Sequence, residues 1–128
     1  MGIRKASAWA AILGLVAAPA AAQSGWAGIG AAGASGDSGR VTIITRSDPR
    51  YRQLMICVEG HAVRLNDAQV RFSDNRIQNV RLRARLADGA CSRMIDLSSH
   101  RQAIASADIT YDVASLAGGT VRVQLFAR

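Results

Sequence analysis

Few residues of this 128-residue chain combine a reactive type with a useful spacing. Cys57, Cys91, His61 and His100 are the candidates for covalent or metal chemistry. The two histidines are far apart and show no HxH or HxxxH pattern, so neither a metal site nor a cofactor is expected. No Ser, His and Asp set lies in a nucleophile motif, and no glycine loop opens a helix to cradle a phosphate. The expectation is therefore a protein that is not an enzyme. What remains is arginine. Arg81, Arg83 and Arg85 stand at alternate positions, which on a strand puts three guanidinium groups on one face along about 13 Å. Such a row can follow an anionic polymer (lipopolysaccharide, an acidic glycan or nucleic acid), and it can equally be an ordinary solvated sheet face.

The start of the chain has the form of a secretory signal over residues 1–22. Arg4 and Lys5 form a basic n-region, Ala8 to Ala18 an apolar h-region, and Pro19 ends it before Ala20-Ala21-Ala22. Cleavage is expected before Gln23, giving a periplasmic or secreted protein by the general export route of bacteria. The apolar run is shorter than the roughly 20 residues a spanning helix needs, so no transmembrane segment is expected in the mature chain. Processing removes two of the sixteen basic residues, leaving fourteen arginines against nine acids, a net charge of +5. Arginine forms paired hydrogen bonds with phosphate and carboxylate where lysine acts as a point charge. A GC-rich genome would produce the same bias without any ligand. In an oxidising compartment a Cys57–Cys91 disulfide is expected.

The elements that must position these groups are strands. Residues 23–39 form a Gly/Ala-rich lead-in, in which Trp26 and Ile29 could tack on a first strand. From residue 40 to 128, short alternating apolar runs are separated by turn residues every 8–12 positions, and no helical period lasts three turns. Strands are expected near 41–45, 53–58, 61–65, 68–73, 77–86, 90–97, 107–113 and 119–126, with at most a helical turn at 99–105. The fold class is all-β: a small antiparallel β-sandwich or partly closed barrel of 7–8 strands.

Register follows from which pairings keep apolar residues together. Turns at Glu59-Gly60 and Asn66-Asp67 pair Ile56 with Val63 and Val63 with Val70. A three-residue turn, Asp74-Asn75-Arg76, sets Val70 opposite Val80, whereas a two-residue turn would mix the faces. Asn75 tolerates the left-handed backbone of a bulged turn. A turn at Asp88-Gly89 pairs Leu82 with Ile95. This predicts a five-strand meander with one apolar face, covered by a second layer. His61 then sits opposite Phe72 at the core edge. Arg81 lies opposite Asp96, Asp67 is a partner for Arg83, and Arg93 points to the apolar face opposite Ala84, as a structural arginine or a ligand anchor. The same register turns Cys91 inward and Cys57 outward with four strands of meander between them, which opposes the disulfide; the compartment argument is the stronger.

The run from Val63 to Val123 resembles a family of small exported bacterial proteins and domains of unknown function that includes the enterobacterial YaaI-like proteins. The matching positions are Val70, Phe72 and Asn75 in a V-x-F-x-N-G hairpin. Gly89, Arg93, Ile95, Asp96 and Leu97 follow in a G-x-x-x-R-x-I-D-L strand, then Arg101, Ile104 and Tyr111, with Trp26 near the start. Arg76 stands where the family tends to have glycine, which shifts the turn's backbone strain to Asn75. The resemblance implies an envelope or secreted β-sandwich, supplies no activity, and suggests a structural polar cluster of Arg93, Asp96 and Arg101. The leading functional expectation is a non-enzymatic structural or interaction module of the envelope, its partner an anionic envelope polymer or another envelope protein. A binder of anionic polymers through the arginine strand comes second, with Arg64 and Arg71 as additional contacts. A hydrolase or hydrolase inhibitor ranks last.

Overall fold

A computed structural model describes residues 25–47, 50–98 and 102–128. The expected signal segment, the cleavage site before Gln23, His100 and Arg101 lie outside the described residues. Eight strands run β1 Ala27–Ser35, β2 Arg40–Ile44, β3 Gln53–Glu59, β4 Val63–Phe72, β5 Ile77–Leu86, β6 Ile95–Asp96, β7 Ile104–Tyr111 and β8 Thr120–Ala127. They form two four-stranded antiparallel sheets. Sheet A has the order β1-β8-β3-β6 and sheet B the order β2-β7-β4-β5. The fold is the all-β sandwich that the alternation predicts, open rather than closed into a barrel.

Each strand turns its apolar parity inward. Leu54, Ile56 and Val58 from sheet A and Val63, Leu65, Val70 and Phe72 from sheet B are almost wholly buried in one core. Val80, Leu82, Ile95 and Leu97 are buried as expected. They do not share a sheet, however: Ile95 belongs to sheet A, with Leu97 following it beside Arg52, and the two face Val80 and Leu82 of sheet B across the sandwich.

The meander is thus corrected at four places. The chain after β3 crosses to the other sheet through Gly60, at φ 106°, instead of folding back on β3. Asn66-Asp67 is not a turn, and the two short strands on either side of it are one strand, β4. Its register shifts between Leu65 and Asp67 against both neighbours, and this irregularity keeps Val63, Leu65, Ala68 and Val70 all facing the core. Polar, turn-forming residues suit a bulge as well as a turn, so their presence alone did not distinguish the two. The β4–β5 loop does have three residues, one position earlier than expected. Phe72 N–H donates to Arg76 O, enclosing Ser73-Asp74-Asn75, and Ala68 rather than Val70 lies opposite Val80. Asn75 takes the left-handed backbone, with φ 69°.

After β5, the Asp88-Gly89 turn sends the chain across to β3 rather than back along β5. Val58 N–H donates to Ala90 O, and Ser92 N–H to Ile56 O. Asp88 Oδ1 accepts from Gly60 N–H at 2.7 Å, which ties the two crossings together. As a result β5 is an edge strand.

The Gly/Ala-rich segment is a genuine strand. β1 pairs with β8 from Ala27↔Ala127 to Ser35↔Thr120, and Ile29 and Ala34 are buried in the core. Gly30 is required at the corner where β1 meets β2. A Cβ there would lie 2.8 Å from Ile43 Cγ2 and 3.0 Å from Ile44 O.

Candidate anion-binding surface

The outer face of sheet B presents side chains from all four strands. On β5, Arg81, Arg83 and Arg85 are exposed at alternate positions, as the two-residue period requires. The row is not straight. Arg83 has φ 42°, the left-handed region in which a side chain other than glycine is strained, and it sits where the β4–β5 register shifts.

Register decides which groups neighbour the row. Arg85 lies directly opposite Arg64, also exposed. Like charges opposite each other on one face repel and destabilise a sheet pair. Among the described residues none of Arg64, Arg81, Arg83 and Arg85 forms an ion pair. Asp67 is opposite Arg81 and not Arg83, yet the two stay beyond ion-pair distance. The expected Arg81–Asp96 pair is absent because β6 joins β3 and not β5. Asp96 instead accepts from Gln53 Nε2 at 3.2 Å.

Arg93 is exposed, not directed at the apolar face. Ser92 takes the buried place, accepting from Ile56 N–H at 3.0 Å, and this phase places Arg93 outside. Its Nη2 donates to Arg81 O at 3.0 Å. Gln78 on β5 reaches the other way: its Nε2 donates to Asp96 O, and its Oε1 accepts from Ser98 N–H. Arg93 thereby satisfies one carbonyl of β5's open edge, and Gln78 satisfies backbone groups at 96 and 98. Arg71 lies at the other end of sheet B, opposite Ile77 and away from Arg64 and Arg85.

Next to the row, aligned residues form two transverse lines across the four strands. Arg40, Thr110, Asp67 and Arg81 make one; Thr42, Asp108, Gln69 and Asn79 make the other. All of these but Thr42 line a shallow depression of about 320 Å³. Thr42 Oγ1 donates to Asp108 Oδ1 at 2.5 Å, and Gln69 Nε2 to Asn79 Oδ1 at 3.2 Å.

Sheet A's outer face is different. Cys57 and Cys91 form a disulfide, Sγ–Sγ 2.02 Å, because residues 89–92 return along β3. Trp26, Phe126 and Cys57 are buried together there, with Met55 and Cys91 packed against them. The Arg128 guanidinium lies 4.5 Å from the Trp26 ring centre, and its Nε donates to Gln53 Oε1. Sequence reasoning missed this contact, since only the β1–β8 pairing brings the two ends of the described chain together. His61 is half-buried, its Nδ1 2.6 Å from Ala62 O. Among the described residues no group of three or more His, Cys, Asp and Glu could hold a metal ion, and no helix is long and apolar enough to cross a membrane.

A solved structure described as the structural and functional characterization of Pseudomonas aeruginosa AlgX is similar in fold. The TM-score is 0.53 at 12% identity, covering 82% of this chain and 27% of that one. This chain therefore spans about a quarter of that protein's length, and the likeness concerns the fold. Among proteins with curated descriptions, none matches the sequence. Residues 8–127 match a family defined as a domain of unknown function, DUF2541, and with nearly its whole length inside that match the chain belongs to this family.

Proposed function

We propose that this domain is an exported, non-enzymatic interaction module of the bacterial envelope, of the YaaI-like kind, and that its partner is an anionic polymer held along β5. The periplasm or the exterior, reached after cleavage before Gln23, is its place of work. The observation that supports this reading is the Arg64–Arg85 pair. Two arginines directly opposite each other, with Arg83 beside them and, among the described residues, no carboxylate within ion-pair distance, carry a repulsion that a bound polyanion would relieve. Arginine suits the task, since its planar donors grip phosphate or carboxylate oxygens in pairs. Retention by such a ligand falls with salt as counterions are released.

The edge position of β5 favours a second reading, in which the arginines only keep one sandwich from pairing with the next. One experiment separates them. Arg83→Ser/Arg85→Ser is compared on a heparin column with Arg46→Ser/Arg122→Ser, which removes equal charge elsewhere. Binding along β5 predicts that the first variant elutes at clearly lower salt than the second while remaining monomeric. Equal elution of the two variants reduces the effect to net charge, and self-association of the first without loss of retention favours edge protection.

A further inference from the structure

We infer that the polymer is a carboxylate-bearing polysaccharide rather than a nucleic acid, and that the depression on sheet B's outer face receives its hydroxyl groups. This rests on the reading of β5 given above and names the ligand class for the same surface.

The surface has two halves of different chemistry. Along Arg83 and Arg85 it is cationic, and Arg64, opposite Arg85, has one acid beside it in Asp112, whose N–H donates to Arg64 O at 3.0 Å. Across the depression the charges cancel: Asp67 and Asp108 offset Arg40 and Arg81. A nucleic acid carries a phosphate in every repeat, so a strand continuing from the arginines over the depression would lay phosphates against two carboxylates. Stacking could not compensate. Among the described aromatic residues Trp26, Phe72, Tyr111 and Phe126 are buried and Tyr51 is half-buried and packed against the core, so none offers a base a free ring face.

A glycan with carboxylates on some of its sugars matches both halves. Its carboxylates pair with guanidinium groups. Its hydroxyls, each both donor and acceptor, match the mixture of carboxylate and amide groups on Asp67, Gln69, Asn79 and Asp108. Asp67 and Arg81 face each other without closing into an ion pair, which leaves an acceptor and a donor side by side for a hydroxyl to bridge.

The test uses purified protein with polygalacturonate and, at the same ionic strength, single-stranded oligothymidylate. Wild-type protein should bind the polygalacturonate more tightly. Gln69→Ala/Asn79→Ala changes no charge and touches only exposed or half-buried groups. It should weaken polygalacturonate binding about tenfold, the loss of one or two good hydrogen bonds, and leave oligothymidylate binding unchanged. That unchanged binding also reports an intact fold. Tighter binding of oligothymidylate, or a double variant that binds polygalacturonate like wild type, overturns the inference while leaving β5 as an anion site. If Arg83→Ser/Arg85→Ser binds both probes as wild type does, the reading of β5 itself fails.

Discussion

The two outer faces of this sandwich, built from sheets of equal strand number, are finished in opposite ways. Sheet A buries its outer face locally under Trp26 and Phe126 and fastens it with Cys57–Cys91. Sheet B leaves its outer face wet, charged and, along β5, repelling itself. One face adds to stability, and the other gives some up where it could meet a ligand. The contrast teaches that exposed polarity alone does not mark a site in such a fold. An unrelieved local cost does, because most sequence changes would remove it.

The comparison predicts how the faces respond to substitution. The largest effect should come from Cys57→Ser/Cys91→Ser. Removing a cross-link that closes a 34-residue separation should cost about 4 kcal/mol on the chain-entropy account. Denaturant unfolding measures it, and heparin retention of the folded fraction should not change. Trp26→Ala comes next. It empties a site only 7% exposed and removes the ring beneath Arg128, so a loss of about 3 kcal/mol is expected. A loss below about 1 kcal/mol would show that the outer cluster of sheet A is not a second core. The smallest effect has the opposite sign. Arg83→Gly relieves the backbone at φ 42° and removes one cation from the row, so the domain should gain roughly 0.5–1 kcal/mol while eluting earlier from heparin. If stability and retention fall together, Arg83 supports the fold and the contrast between the faces breaks down.

Much of sheet B could be read from local pattern. β5 spans the expected residues 77–86, and over most of it Val80, Leu82, Ala84 and Leu86 alternate with arginines. The three-residue hairpin loop and the left-handed Asn75 followed from turn chemistry. The neighbours of the arginine row did not follow. Register was off by two residues on β5, which moved Asp67 from Arg83 to Arg81; Arg64 came opposite Arg85 because Asn66-Asp67 is not a turn, and Asp96 went to another partner because β6 joins β3. A half-buried strand specifies its faces but specifies its neighbours weakly, so equivalent pairings compete until the whole sheet forms.

By itself, then, the sequence determined the fold class, the inward and outward sides of most strands, and the strongly arginine-based charge. These depend on side-chain period, turn residues and composition, all local properties. Tertiary structure decided that β3 and β4 lie in opposite sheets and that β5 is an edge. It also brought Cys57 to Cys91, set Arg64 opposite Arg85, and made a strand of the Gly/Ala run. The reason is that an apolar strand face is buried equally well by a neighbour in its own sheet or by one across the core. The choice rests on closing both layers around a single interior, a property of the whole chain that no short window contains.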